Sequence, residues 1–119
     1  MGAGFSHLLD RLLAALRAAD AALEDQTMTL ARAALDEAFA SLGALYAALD
    51  SARHPEVTAY LQFVYDECFR SIGAASPQER KGLLTAITVL HQVRLAEERA
   101  QSGTWPTESP SLIARRLAV

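Results

Sequence analysis

The side chains able to perform acid–base or nucleophilic chemistry are few in this chain, and their positions do not converge. His7, His54 and His91 fall on three separate predicted segments, and none has an Asp, Glu or Cys at the spacing of metal ligands. A carboxylate-bridged helical bundle would need Glu-x-x-His pairs on its helices, and none occurs. The sequence therefore predicts no catalytic residues, no metal site and no cofactor.

The acidic pairs and the single cysteine have structural explanations. Glu97 with Glu98, and Asp66 with Glu67, are neighbours in predicted helices, where adjacent side chains diverge by roughly 100°. We expect both pairs to lie on solvated faces. Cys68 cannot form an internal disulfide and falls on the apolar stripe of a predicted helix. We expect it to be a buried small hydrophobic residue and not a nucleophile.

Composition and charge exclude several classes of function. The net charge of −3 and the scattered Lys and Arg residues give no basic surface for nucleic acid. Charged residues interrupt every apolar window, so no membrane insertion is expected, and no signal-peptide pattern begins the sequence. We therefore expect a cytoplasmic protein. Hydrophobic residues make up 51% of the chain, and many of them are alanine, which favours helices. No segment alternates polar and apolar residues over the length of a strand.

The first half of the sequence predicts two amphipathic helices. Leucines at three- and four-residue spacing predict the first helix over Phe5–Glu24, with Ser6 as its N-cap. The run "EDQTMT" separates it from the second helix, whose N-cap is Asp25 or Thr27 and which extends to about Asp50. The heptad seam of the second helix consists of Met28, Ala31, Leu35, Ala38, Leu42, Leu45 and Leu49.

Two further helices complete the predicted bundle. The third spans about Pro55–Ile72, with Gly73 suited to a left-handed C-cap. The run "SPQE" then resembles a capping box, with Ser76 as N-cap and Pro77 as the first residue of a fourth helix that ends near Gln101. Short connections place consecutive helices antiparallel. The predicted fold is an all-α, antiparallel up-and-down four-helix bundle over residues 1–101, followed by a tail.

Residues 102–119 form a predicted linker and a short amphipathic tail. "SGTWPTESPS" contains turn formers and two prolines, which a helix interior would not tolerate. "SLIARRLAV" is too short to be a stable helix alone in water. The tail either folds back over an apolar groove of the bundle or is a disordered terminus. The residues that would cover the groove are Trp105, Leu112, Ile113 and Leu117.

The third helix carries a wider apolar arc than one core face uses. Its core stripe consists of Val57, Leu61, Val64, Cys68 and Ile72. Tyr65 and Phe69 extend the stripe on one side, while Tyr60 and Phe63 extend it on the other. The arc covers roughly 240°, against at least about 100° for an ordinary surface helix. Either this helix is the most buried of the four, or its outer rings form a groove for another chain.

Four segments in order resemble the flagellar export chaperone family FliS. "LLDRLLAALRAADAALED" and "ARAALDEAFASLGALYAALD" are similar to the first two helices of that family. "PEVTAYLQFVYDECFRSIGAA" is similar to its third helix, with the tyrosine–aspartate pair at Tyr65 and Asp66, and "LLTAITVLHQVRLAEERA" resembles its last helix. The chain begins almost directly in its first helix and adds a tail after Gln101, so it resembles a divergent member.

The resemblance implies a function without catalysis. Members of the family hold the C-terminal part of flagellin in apolar grooves in the cytoplasm, before secretion, and thereby prevent its premature polymerisation. The expected partners are therefore flagellin or a related export substrate, together with the flagellar export apparatus. By position, the resemblance carries substrate binding to Leu42, Leu45, Tyr46, Leu49, Tyr60, Val64, Tyr65 and Phe69.

A second interpretation uses the same apolar surface differently. In it the bundle is a non-catalytic adaptor or scaffold, which forms a homodimer or joins a secretion or signalling complex. For the seam leucines, ordinary core packing also explains the pattern. A bundle enzyme has no supporting set of residues in the sequence.

Overall fold

The computed structural model describes residues 3–49 and 55–101, with side chains over 4–49 and 55–98, and these residues form four α-helices. Within those ranges no strand forms, and a single isolated bridge joins Ser76 and Glu79. The prediction of an all-α four-helix bundle is confirmed. The tail residues Trp105, Leu112, Ile113 and Leu117 lie outside the described residues. The helices are α1 (Ala3–Glu24), α2 (Met28–Ala47), α3 (Pro55–Ala74) and α4 (Lys81–Gln101).

The four helices form a ring in which each contacts its two neighbours. α1 contacts α2 and α4, and α3 contacts the same two helices. Cross-helix pairs establish the antiparallel directions: on α1 and α4, Asp10 pairs with Arg94 while Asp20 pairs with Arg80. Short connections between amphipathic helices produce this arrangement, because each helix must bury its apolar stripe against the preceding one.

Charged side chains fix the register of α4 against α1. Arg80 donates from Nε to Asp20 Oδ1 at 2.8 Å and from Nη2 to Asp20 Oδ2 at 3.3 Å. This two-point geometry is specific, and the Asp20 side chain is only 16% exposed. The hydrogen bond to Asp20 raises the pKa of Arg80 above its ordinary value. Further along, Arg94 donates to Asp10 at 2.9 Å.

Alanines bring α1 and α2 close together. The wholly buried α2 residues Ala31 and Ala38 face the leucine stripe of α1, and these two helices pack most extensively of all pairs. The predicted seam is buried at Ala31, Ala38, Leu42 and Leu45, whereas Leu35 and Leu49 are half-buried. Met28 is 45% exposed, because it is the first residue of α2. The α1 side of this core consists of Leu9, Leu12, Leu13, Ala15, Leu16, Ala19, Ala22 and Leu23.

The end of α1 differs from the sequence prediction in its capping chemistry. Ser6 was expected as an N-cap, but α1 begins at Ala3, so Ser6 lies within the helix. At the other end, Gln26 has a φ of 58°, the left-handed conformation. Gln26 N–H donates to Leu23 O at 3.1 Å and Thr27 N–H donates to Ala22 O at 2.8 Å, which is the Schellman pattern. Thr27 then precedes α2, as predicted, but its side chain makes no cap hydrogen bond.

The predictions for the C-cap of α3 and for the first residue of α4 were wrong. Gly73 is helical and does not adopt a left-handed φ, so α3 continues to Ala74. Ser76 Oγ accepts the Glu79 N–H at 3.1 Å, but within a tight turn whose backbone groups also pair, and α4 begins only at Lys81. The turn leaves Arg80 at the cap position, from which its guanidinium reaches Asp20.

Glu97 also contradicts the expectation of a solvated pair. Its side chain is buried, with 1% of the residue exposed, whereas Glu98 and Asp66 are exposed and Glu67 is half-buried. Helical geometry explains the error, since Glu97 follows Leu90 by seven residues and therefore shares its inward face. Cys68 is buried in the core, as expected.

We predict that Gln26→Gly stabilises the protein by about 1 kcal/mol, because glycine adopts the left-handed conformation without the steric cost that a side chain adds. Gln92→Gly is the matched control: it lies within α4 and is exposed, so the same replacement should destabilise by about 1 kcal/mol. Urea denaturation measures both. A loss of stability in Gln26→Gly would contradict the cap assignment.

Alkaline pH should weaken the fold through Cys68. Burial, with the Glu67 charge adding to it, raises the pKa of the thiol from 9.0 to about 12. The part of the free energy of unfolding that depends on the neutral thiol is therefore fully present below pH 9. It is lost as the pH rises towards 12, by up to about 1.4 kcal/mol per pH unit, because the thiol ionises first in the unfolded chain. Urea titrations at about pH 8 and about pH 10 should show a smaller loss for Cys68→Ala than for the unmodified chain. Equal losses would contradict the burial of an un-ionised thiol.

Candidate functional site

The residues that the resemblance assigned to substrate binding fall into two groups. Leu42, Leu45, Val64 and Tyr65 are at most 1% exposed and belong to the core. A partner chain would contact none of them while the bundle is closed. The other group is half-buried and reaches the surface: Tyr46, Leu49, Tyr60 and Phe69.

Aromatic rings form the interface between α2 and α3, and we call the set Phe39, Tyr46, Tyr65 and Phe69 the aromatic seam. Phe39 stacks on Phe69 with ring centroids 6.0 Å apart and planes 23° apart. Tyr46 contacts Phe69 at 6.1 Å and Tyr65 at 6.4 Å, both with tilted rings. Gln62 Nε2 donates to the Tyr46 hydroxyl at 2.9 Å, which fixes the outer end of that ring. Both rings that widen the α3 stripe on this side therefore meet α2.

On its other side, the apolar arc of α3 turns towards α4. Tyr60 and Phe63 are half-buried and pack against the core. Their helical positions lie beside that of Ser71, which approaches α4 at Gly82 so closely that a Cβ there would lie 3.2 Å from Ser71 Oγ. Both neighbouring helices thus use part of the α3 arc, and the most exposed aromatic ring among the described residues is Phe39 of α2.

The C-terminal half of α2 presents an uncharged surface. No charged residue occurs from Ala38 to Leu49. Helical geometry places Phe39, Ala40, Gly43, Tyr46 and Ala47 towards the side of α2 that faces away from the core, and we call these residues the α2 face. Phe39 is 39% exposed, Ala40 and Ala47 are exposed, and a Cβ at Gly43 would meet nothing within 4 Å. A continuous apolar surface of this kind is typical of an interaction site.

Phe39 was absent from the residues assigned to binding, although the sequence contained the signal. It precedes Tyr46 by seven residues, and so lies beside the seam on the same side of α2. Met28, Leu30, Leu84 and Leu95 are the remaining large apolar residues with high exposure among the described residues. They are dispersed on two helices, and such single exposures are normal.

A second feature of this region is a buried polar pair. The Tyr65 hydroxyl and Glu97 Oε2 are both buried, and neither has a hydrogen-bond partner among the residues that the structure describes. Burial raises the pKa of Tyr65 above its ordinary value, and the neighbouring Cys68, Glu97 and Tyr60 add to the shift. The described residues contain no group of three or more His, Cys, Asp or Glu side chains that could hold a metal ion.

Comparisons with known proteins returned no match: no protein-family model, no curated protein and no solved structure is similar to this chain. Among the described residues, no helix combines the length and apolar character needed to span a membrane. A proposal about function therefore rests on the geometry of the α2 face and on the resemblance seen in the sequence.

We predict a favourable coupling between Phe39 and Phe69 of about 0.5–1.5 kcal/mol, the range for aromatic pairs. A double-mutant cycle of Phe39→Ala and Phe69→Ala, measured by urea denaturation, tests it. The control cycle combines Phe69→Ala with Leu84→Ala on α4, which should be additive. Additivity of the Phe39 and Phe69 variants would show that the stacked pair does not form.

Proposed function

We propose that the protein is a non-enzymatic chaperone that binds the C-terminal segment of flagellin, or of a related secretion substrate, on its α2 face. The observation that carries the proposal is the uncharged half of α2, with the exposed Phe39 ring stacked on Phe69. The resemblance of the four helices to the FliS family supports the identity of the substrate. Such a chaperone acts in the cytoplasm, before the substrate is exported.

The α2 face suits an amphipathic segment more than a rigid folded surface. Ala40, Gly43 and Ala47 have little or no side chain, so the backbone of a partner helix can approach α2 closely. Phe39 and Tyr46 flank these small residues and supply most of the apolar area. Rings with a polar tip, such as Tyr46, are suited to a surface that is wet when free and dry when bound.

The binding residues have different roles in this proposal. Phe39, Tyr46 and Phe69 contact the substrate, because they reach the surface from the aromatic seam. The buried group, Leu42, Leu45, Val64 and Tyr65, supports those rings from beneath and sets their spacing. Leu49 follows the end of α2 and extends the apolar surface there, whereas Tyr60 lies on the side of α3 that turns towards α4.

Calorimetry with the C-terminal segment of flagellin tests the proposal. We expect binding with a dissociation constant in the micromolar range or tighter, equivalent to about −8 kcal/mol. Phe39→Ser should weaken it at least about tenfold, because it removes the most exposed aromatic ring of the α2 face. Leu84→Ser is the matched control, since it makes a comparable exposed position on α4 polar. Absence of binding by the unmodified chain would overturn the proposal.

The adaptor interpretation remains the second candidate, and one observation favours it. A surface without charge that contains small residues is also compatible with α2 packing on α2 of a second copy. Sedimentation separates the candidates: a stable dimer that is abolished by Phe39→Ser and has no affinity for flagellin supports the adaptor. A monomer that binds flagellin supports the chaperone.

A further inference from the structure

Each of the four helices buries one polar atom that has no hydrogen-bond partner among the described residues: Ser6 Oγ, Ser41 Oγ, Tyr65 Oη and Glu97 Oε2. The residues Ser41, Tyr65 and Glu97 are at most 3% exposed. Buried polar groups in folded proteins are usually paired, so each exception calls for an explanation. Here the explanation comes from where the four atoms lie.

Three of these atoms lie in the same part of the bundle. Arg94 of α4 pairs with Asp10 of α1, so one helical turn further, about 5.4 Å, Glu97 lies level with Ser6. The Glu97 charge contributes to the raised pKa of the Tyr65 hydroxyl, so α3 brings a third buried polar group near these two. We call these polar groups between α1, α3 and α4 the polar layer.

The fourth atom, Ser41 Oγ, belongs to the same polar layer. Glu37 of α2 pairs with Arg11 of α1, and Ser41 follows Glu37 by four residues, or one turn. Because α1 and α2 run antiparallel, Ser41 lies level with the turn of α1 that precedes Arg11, where Ser6 is also located. Each helix thus contributes one polar group without a partner among the described residues, in the half of the bundle that contains the end of α4.

Little apolar area holds the end of α4 in place. Arg80, just before α4, pairs with Asp20 and Glu24 of α1, and Arg94 of α4 pairs with Asp10. The polar layer lies beyond Arg94. After Val93, the buried side chains among residues 94–98 are Ala96 and Glu97. Alanine buries a small area, and burying the Glu97 carboxylate is unfavourable. The closed position of these turns is therefore weakly stabilised, while opening would hydrate the unpaired groups.

We propose that the last turns of α4, from Val93 to Gln101, open away from α1 and α3 within the folded protein and bring Glu97 and the Tyr65 hydroxyl into water. Opening removes a neighbour of the Tyr65 ring, against which Tyr46 of the α2 face packs. The end of α4 is thereby coupled to the α2 face. That consequence rests on the proposed function, whereas the opening itself does not.

Native-state hydrogen exchange of the full chain, without any partner, tests the opening. The amides of residues 96–98 should exchange at least about tenfold faster than those of Leu12 and Leu16 in α1, with little dependence on added denaturant. Glu97→Met should slow their exchange about tenfold, because the closed state no longer buries a carboxylate oxygen that lacks a hydrogen-bond partner. Tyr65→Phe should slow it in the same direction.

Glu98→Met is the matched control, since it makes the same change at the adjacent, exposed position, and it should not slow exchange. Ordinary fraying of a helix end would leave the rates insensitive to Glu97→Met. Equal rates in the unmodified chain and in Glu97→Met, or exchange of α4 only together with α1, would overturn the proposal. Because these exchange rates are measured without flagellin, they test the opening even if the protein does not bind flagellin.

Discussion

The burial of the Tyr65 ring is the constraint on which the rest of the structure depends. It is the largest fully buried side chain among the described residues, and it packs against Tyr46 of α2, while the Glu97 charge on α4 contributes to the raised pKa of its hydroxyl. A ring of this size holds α2 away from α3, in contrast to the close α1–α2 contact that Ala31 and Ala38 permit. Tyr46 and Phe69 occupy the resulting space and reach the surface.

The two sides of α2 thus follow from the sizes of the side chains that they bury. Small residues towards α1 make a tight pair, whereas the aromatic seam towards α3 makes a broad interface whose outer ring, Phe39, remains partly in water. The same Tyr65 that spaces this interface brings into the core a hydroxyl that has no hydrogen-bond partner among the described residues. Unpaired polar groups of this kind lower the stability of the closed bundle. Tyr65 therefore affects both the spacing of the aromatic seam and the stability of the end of α4.

The sequence predicted the fold well because its signals were periodic. Leucine and alanine spacing identified the helices, and Pro55 marked the first residue of α3. Capping was less predictable: Ser76 makes the expected hydrogen bond to the Glu79 N–H, but inside a turn, since Arg80 is drawn to Asp20 on a distant part of the chain. No local pattern encodes such a contact.

The candidate site was predictable in part for the same reason. Tyr46 and Phe69 were assigned to substrate binding by position, and both reach the surface. The sequence did not reveal that Tyr65 is wholly buried or that the Phe39 ring is partly exposed. The difference depends on where α2 crosses α3, which periodicity on one helix does not encode. Glu97 was wrongly predicted to be exposed because it is charged, although it follows Leu90 by seven residues and therefore shares its inward face.

Site-directed photocrosslinking tests the central claim, that a secretion substrate binds on the α2 face. A benzophenone side chain at Ala40, on that face, should crosslink to the C-terminal segment of flagellin, whereas the same group at the exposed Ala14 of α1 should not. Crosslinking from Ala14 alone, or from neither position while the segment is bound, would contradict the account.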